Sequence, residues 1–267
     1  MRSKTLNILF LGDLVGRPGL RALFGGLAGL VRDTGAHLVA VNGENLAEGF
    51  GLTPADAESI FDLGVSVITS GNHVWQREDI YPVLDSETRL LRPENYPPGA
   101  PGRGWTVVEA SGTPVAFLNL QGQERMGLTV DCPFRTARKA VERLRRTTAC
   151  IIVDFHAEDV REKEAMAVHL DGRVSAVVGT HTHVATTDER LLPGGTAALT
   201  DVGMCGPARS VIGTRPELSV RRSLTQMPLR MEVLDGPGEL NGVLIGVDPE
   251  SGRAQGIRRI HRADSGS

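Results

Sequence analysis

Five short apolar runs constrain the fold of this chain more than any other feature of its sequence. They lie at 6–13, 37–45, 65–73, 149–158 and 174–183, and β-branched residues are frequent in them. Runs of this kind predict strands that are buried on both faces. Helix-like stretches lie between the runs, at 18–33, 54–63 with Thr53 as N-cap, 135–146 and 160–170. The alternation predicts an α/β fold built from βαβ units with right-handed crossovers.

Antiparallel strands are predicted in two other parts of the chain. The segment 105–122 has two strand-like runs around a Ser-Gly-Thr-Pro turn, which indicates a hairpin. The stretches 229–234 and 241–248 have the same character. One mixed sheet, or two sheets packed together between helices, would accommodate these strands. A chain of 267 residues can bury one large core, so we expect a single domain over 1–267.

Each of the five predicted strands ends in side chains that could bind a metal ion. In open α/β sheets ligands bind beyond the carboxyl ends of the strands, because loops and helix N-termini converge there. We therefore expect these side chains to meet at one edge of the fold. In chain order they are Asp13, Glu44, Asn45, Asn72, His73, His156, His181 and His183.

Two of the chain's seven histidines, His181 and His183, are separated by one residue. In an extended segment residues i and i+2 point to the same side, so we expect both imidazoles to face one site. The alternative is that one histidine packs in the core while the other is solvated.

Other candidates also have structural alternatives. Asp13 could cap the helix that follows it, and Glu44 could belong to a simple turn. Asn72 has the same turn alternative. His156 follows an apolar run, so it could be a core histidine with satisfied hydrogen bonds.

The candidate ligands combine oxygen and imidazole donors without thiolates, a set that suits Mn, Fe or Zn. The seven candidate donors other than His73 exceed what one catalytic ion takes, whereas two ions that share Glu44 would use all seven. Two such ions can clamp a displacement at phosphorus and supply a hydroxide at neutral pH. The pattern therefore predicts hydrolysis of phosphoesters.

The candidate residues lie in motifs that run through most of the chain: GDLVGRPG, NGEN, SGNHVW, RPENYP, DFHAE, GTHTHV and TDVGMCGP. These motifs resemble those of the calcineurin-like metallophosphoesterase superfamily, and most closely its YmdB-like family. The resemblance implies a four-layer α/β/β/α sandwich with mixed sheets and hydrolysis of phosphodiesters, including 2′,3′-cyclic nucleotides such as 2′,3′-cAMP.

The resemblance also implies roles for individual residues. Glu44 would bridge two ions, and His73 would be the general acid that protonates the leaving oxygen after attack by a metal-bridging hydroxide. The wider superfamily has D-x-H on its first strand where this chain has Asp13-Leu14-Val15, and Asn45 would take the place of that imidazole. One ion would be bound by Asp13, Glu44, Asn45 and His183, and the other by Glu44, Asn72, His156 and His181.

The charge and hydropathy of the sequence limit the binding partners and the cellular location that we expect. The chain has 29 basic and 32 acidic residues without a Lys/Arg run, which disfavours extended nucleic acid as a partner. The first apolar stretch is too short for a signal peptide or a membrane span, so we expect a cytoplasmic protein. The expected partner is a small-molecule phosphodiester. A regulatory nucleotide-binding metalloprotein with little turnover and a phosphomonoesterase are the alternatives, and a homo-oligomer is compatible with the sequence.

Overall fold

The computed structural model describes residues 5–263, which form two sheets with helices on their outer faces. The strands are β1 (Leu6–Val15), β2 (Leu38–Asn45), β3 (Val67–Thr69), β4 (Trp105–Ala110), β5 (Thr113–Gln121), β6 (Cys150–His156), β7 (Ala176–Thr180), β8 (Arg190–Leu191), β9 (Ala197–Leu199), β10 (Met204–Pro207), β11 (Gly238–Val247) and β12 (Ala254–Ala263). The α-helices are α1 (Gly16–Thr34), α2 (Pro54–Asp62), α3 (Tyr81–Ser86), α4 (Pro133–Leu144), α5 (Val160–His169) and α6 (Pro216–Thr225).

Both sheets are six-stranded and mixed. The strand order is β12-β11-β10-β1-β2-β3 in the first sheet and β4-β5-β6-β7-β9-β8 in the second. Strands β1, β2 and β3 are parallel, and so are β5, β6, β7 and β9. Strands β4 and β5 form the predicted antiparallel hairpin. The carboxyl ends of the parallel strands in each sheet therefore share one edge.

The alternation of side chains along β1 shows how the layers are built. Phe10 packs between the two sheets, together with Phe117 of β5. Leu9 points the other way and packs with Leu23 of α1 and Ile60 of α2. On the far side, Ile151 and its neighbours in the second sheet pack against α4 and α5. Burial of each of these side chains contributes about 1.5–3 kcal/mol of hydrophobic free energy to folding. The layers confirm the predicted α/β/β/α sandwich with mixed sheets.

The helix ends follow local sequence signals. Thr53 caps α2 as predicted: its side chain accepts a hydrogen bond from the backbone of Asp56, and the Asp56 side chain bonds back to the backbone of Thr53. Helix α1 ends at Gly35, which has a φ of 61° and so occupies the left-handed region that terminates helices.

One predicted strand is wrong. Within residues 5–263, the stretch 229–234 pairs only at Val233, in an isolated bridge with Thr214, and it joins neither sheet. Pro228 precedes the stretch and lacks the N–H group that a sheet ladder needs. The predicted strand at 65–73 is shortened to β3, so Asn72 and His73 lie in the loop that follows.

Among the helices of residues 5–263, none combines the length and the apolar character that a membrane crossing requires.

Candidate metal centre

The candidate site lies where the strand faces between the two sheets change from apolar to polar. In β6, Cys150 and Ile152 belong to the core between the sheets, whereas Asp154 and His156 continue the same face at the end of the strand. The same change occurs in β2, β3, β5 and β7. The buried polar residues that result are Asn42, Glu44, Thr69, Asn119, Gln121, Asp154, His156 and Thr180.

Asp13 reaches this face through an irregularity in β1. Leu11 is opposite Val41 of β2, but Asp13 is opposite Asn42, so β1 contains one residue more than β2 in this interval. A bulge of this kind turns a side chain that simple alternation would direct to the other face. Asp13 does not cap α1, because the N-cap residue is Val15, whose side chain forms no capping hydrogen bond.

Four candidate ligand atoms crowd together at His156. Its Nε2 lies 2.9 Å from Glu44 Oε1, 3.0 Å from Asn72 Oδ1 and 3.0 Å from His181 Nδ1. One imidazole nitrogen holds at most one proton, so a single hydrogen bond cannot satisfy all three contacts. Glu44, His156 and His181 offer ligand atoms within 4.8 Å of one another and form a group that could hold a metal ion.

Three buried oxygens that lack a hydrogen-bond donor also indicate that the site could hold a metal ion. In residues 5–263, Asp13 Oδ1, Glu44 Oε1 and Asn45 Oδ1 are buried without a hydrogen-bond partner. A buried polar atom left unsatisfied costs about 1–3 kcal/mol. The second oxygen of Asp13 accepts from the backbone N–H of His181 at 3.2 Å, and the amide nitrogen of Asn45 donates to Gly49 O at 3.0 Å. Each of these side chains is thus fixed with one free oxygen, and the set fits a cation.

The two neighbouring histidines do not reach the site by the predicted geometry. Strand β7 ends at Thr180, and the φ angles of His181 and His183 are 104° and 64°. An extended i, i+2 arrangement is therefore wrong, and the loop is strained, since non-glycine residues rarely adopt positive φ. His181 joins Glu44 and His156, whereas His183 Nδ1 lies 2.9 Å from the carbonyl oxygen of Ile212 and is outside that group of three.

Asp201 holds this strained loop. Its carboxylate accepts from the backbone N–H of Thr182 at 3.1 Å and from the Thr182 hydroxyl at 2.8 Å. It also forms an ion pair of 2.7 Å with Lys163, and both of these side chains are buried. This carboxylate therefore positions Thr182, the residue between the two histidines.

His73 lies beside the candidate ligands. Its backbone N–H donates to Glu44 Oε2 at 2.9 Å. Its ring stands edge-on to the half-exposed ring of Phe50, with 5.0 Å between the ring centroids. Its Nδ1 is buried without a partner in the described part of the chain. His73 is therefore close to the ligands but is not a member of the Glu44, His156 and His181 group.

A groove of about 1280 Å³ adjoins the site at Phe50. Three arginines that line it, Arg17, Arg77 and Arg222, form no ion pair within residues 5–263. Guanidinium groups recognise phosphate oxygens through paired hydrogen bonds. Four acidic residues also line the groove, namely Glu48, Asp56, Glu232 and Asp235. The groove therefore offers a phosphate-containing molecule room and three guanidinium groups without a carboxylate partner among the described residues.

The charges of the site are adapted to a cation. Burial raises the pKa of Asp13 well above its usual value, and the nearby carboxylates of Asp201 and Glu44 raise it further. Burial also raises the pKa of Glu44, against the opposing effect of His73. Burial lowers the pKa of His156 well below its usual value, and burial with the neighbouring His156 lowers the pKa of His181 to about 3. Burial thus disfavours the charged form of each group, and a bound cation would oppose this effect at the carboxylates.

Gly71 is required for the position of the His156 ring. A Cβ atom at Gly71 would lie 2.1 Å from Cδ2 of His156 and 2.4 Å from its Nε2. We expect Gly71→Ala to displace the ring, to cost about 1–3 kcal/mol of stability and to weaken metal binding by at least about 10-fold. Thermal unfolding and metal titration measure the two effects.

Gly25→Ala is the matched control, because no atom lies within 4 Å of a Cβ at this helical position. It should bind metal as the wild type does. A Gly71→Ala protein with unchanged melting temperature and metal affinity would show that the ring is not held as described.

Comparison with known proteins gives this chain clear relatives. It is 42% identical over 255 residues, 96% of each protein, to a Bacillus subtilis protein named "2′,3′-cyclic-nucleotide 2′-phosphodiesterase". The crystal structure of a Mycoplasma pneumoniae protein described as a novel phosphatase superposes with a TM-score of 0.92 at 35% identity, covering 98% of this chain and 95% of that one. A hypothetical protein of Thermus thermophilus superposes with a TM-score of 0.90 at 38% identity, covering 97% of this chain and 100% of that one.

The family model described as "YmdB-like protein" matches residues 9–260, a range that contains all the candidate ligands. The chain therefore belongs to the YmdB-like protein family.

Proposed function

We propose that this chain is a dinuclear metal-dependent phosphodiesterase that hydrolyses 2′,3′-cyclic nucleotides such as 2′,3′-cAMP. The observation that carries the proposal is the crowding of Glu44, Asn72 and His181 around one nitrogen of His156, next to buried oxygens without donors. The name of the Bacillus subtilis relative supports the choice of substrate.

The residues at the site fit two ions that share Glu44. Oxygen and imidazole donors without thiolates favour Fe or Mn, and Zn is also compatible with them. When bound, the ions supply positive charge at the phosphoryl oxygens and a nucleophile at neutral pH. Asp13, Glu44, Asn45 and His183 would hold one ion, and Glu44, Asn72, His156 and His181 would hold the other.

The chain's own residues then account for the remaining needs of the reaction. The oxygen of a water molecule adds to phosphorus, the bond from phosphorus to the 2′ oxygen breaks, and a nucleoside 3′-phosphate results. The departing 2′ oxygen needs a proton, and His73 is the general acid that delivers it. The arginine-lined groove beside Phe50 binds the substrate.

Purified protein reconstituted with Mn²⁺ or Fe²⁺ should convert 2′,3′-cAMP into adenosine 3′-phosphate, separated from the 2′ isomer by chromatography. Bis-p-nitrophenyl phosphate serves as a second, chromogenic diester. Failure to release product from either diester above the level of a Glu44→Ala protein would contradict the proposal and would favour a regulatory nucleotide-binding protein.

A phosphomonoesterase is the second candidate, because the Mycoplasma pneumoniae relative is described as a phosphatase. The same ions serve both reactions, so only a comparison of substrates separates them. The diesterase proposal predicts a higher kcat/KM for 2′,3′-cAMP than for adenosine 3′-phosphate, and the reverse order would identify a monoesterase.

A further inference from the structure

Asp154 is a buried carboxylate that the proposed reaction does not use. It is 1% exposed and lies beneath the candidate ligands. Three donors point at it: the Thr69 hydroxyl at 2.5 Å, the Thr180 hydroxyl at 2.7 Å and the Asn42 amide at 3.3 Å. Thr69 and Asn42 both contact Oδ2, whereas Thr180 alone contacts Oδ1. In its ionised form Asp154 is thus an acceptor on both sides.

Thr180 links this carboxylate to His156. Its oxygen Oγ1 lies 2.9 Å from His156 Nδ1. A threonine hydroxyl has one proton, and that of Thr180 is donated to Asp154. In the contact with His156, Oγ1 can therefore only accept, and Nδ1 must carry the hydrogen.

Asn42 does not alter this assignment. Its Nδ2 also lies 3.3 Å from His156 Nδ1, but its two amide hydrogens face Ser70 O and Asp154 Oδ2. The hydrogen on Nδ1 thus has one acceptor in the described network, the oxygen of Thr180. A neutral imidazole that carries its hydrogen on Nδ1 has a lone pair on Nε2.

We propose that Asp154 is a positioning residue that acts through Thr180 to fix the Nδ1-protonated tautomer of His156, which leaves Nε2 bare for a metal ion. In the other tautomer Nε2–H would donate to Glu44 or Asn72, and the nitrogen would have no lone pair for a cation. The hydrogen bonds from Asp154 through Thr180 to His156 therefore select the form of the site that can bind a cation. This inference rests on the metal site proposed above.

Asp154→Asn tests the direction of the hydrogen bonds that link residues 154, 180 and 156, and it hardly changes the shape of the side chain. Two donors face the Oδ2 side, so the new carbonyl oxygen should face Thr69 and Asn42, and the new NH₂ group should face Thr180. The Thr180 hydroxyl would then accept from position 154 and turn its proton toward His156 Nδ1, which forces the hydrogen onto Nε2. We expect Mn²⁺ affinity to fall by about 10–100-fold, as is typical when the partner of a metal-binding histidine is lost.

Variants of the two threonines separate positioning from packing. Thr180→Val removes the link to His156 and should weaken Mn²⁺ binding to a similar extent, whereas Thr180→Ser keeps the hydroxyl and should restore it. Thr69→Val is the matched control, since Thr69 donates to the same carboxylate without contacting His156. It should bind Mn²⁺ as the wild type does.

Imidazole ¹⁵N NMR of the metal-free proteins reads the tautomer directly. The wild type and Thr69→Val should show hydrogen on Nδ1 of His156, and Asp154→Asn should show it on Nε2. Hydrogen on Nε2 in the wild type would overturn the proposal, and so would a Thr69→Val protein that loses as much Mn²⁺ affinity as Thr180→Val.

If Asp154→Asn does not fold, the valine and serine variants at position 180 test the proposal by themselves. A wild type that binds no metal would overturn the proposed function, and the tautomer measured in that protein would still decide the inference.

Discussion

Replacement of His73 by alanine should lower kcat for 2′,3′-cAMP by about 10²–10⁴-fold, the usual contribution of a general acid. The metal content should remain that of the wild type, because His73 lies outside the Glu44, His156 and His181 group and contacts Glu44 through its backbone N–H. Steady-state kinetics and elemental analysis of the same sample measure both quantities.

The nature of the leaving group distinguishes proton donation from a structural role. p-Nitrophenolate leaves as a stable anion and needs little protonation, so His73→Ala should retain much more activity with bis-p-nitrophenyl phosphate than with 2′,3′-cAMP. His261→Ala, at an exposed position of β12, is the histidine control and should match the wild type with both substrates. Equal losses with the two substrates, or loss of metal, would exclude His73 as the acid.

Glu44→Gln should abolish both metal binding and activity. Oε2 of Glu44 accepts from the backbone N–H of His73, whereas Oε1 has no donor within residues 5–263 and lies 2.9 Å from His156 Nε2. A glutamine that keeps the first contact directs its NH₂ group toward His156, where the ligand atoms converge. Electrostatic stabilisation by one group is typically worth about 10²–10³-fold in kcat, and we expect the loss of two cations to exceed this factor.

The stability of the same variant separates loss of metal from loss of fold. Burial raises the pKa of Glu44, so its ionisation at neutral pH destabilises the metal-free protein. A neutral glutamine removes that cost, and metal-free Glu44→Gln should melt at or above the temperature of metal-free wild type. Glu109→Gln, on the exposed side of β4, has the same charge change and should retain metal and activity. A Glu44→Gln protein that binds two ions would refute the bridging role.

The positions of the candidate ligands were largely predictable from sequence. Parallel strands have carboxyl ends at a common edge, so the polar ends of β2 and β6 had to meet if those strands formed. This is why Glu44 and His156 could be brought together before any distance was known. The packing of two sheets required the family resemblance as well, because periodicity alone does not distinguish one mixed sheet from two.

The orientations of individual side chains were less predictable. Asp13 faces the site only because of the irregular register between β1 and β2, which local sequence does not specify. His181 and His183 adopt positive φ angles that the polar network around Asp201 stabilises. Tertiary contacts override local preference at these positions, as is common at functional sites.

The hydrogen-bonded link from Asp154 through Thr180 to His156 was not predicted, although the sequence contains an indication of it. Asp154 interrupts an apolar strand two residues before His156, and Asn42 has the same relation to Glu44. Alternation places each pair on one face. A buried polar residue two positions before a candidate ligand therefore indicates a partner of that ligand.

Anomalous diffraction from crystals of Mn-loaded protein tests the central claim most directly. Two anomalous peaks should lie about 3.5–4 Å apart, the usual spacing in two-metal sites. One peak should be near His156 and Asn72, the other near Asp13 and Asn45, with Glu44 between them. The absence of any peak within this group of residues, in protein that hydrolyses 2′,3′-cAMP, would contradict the account.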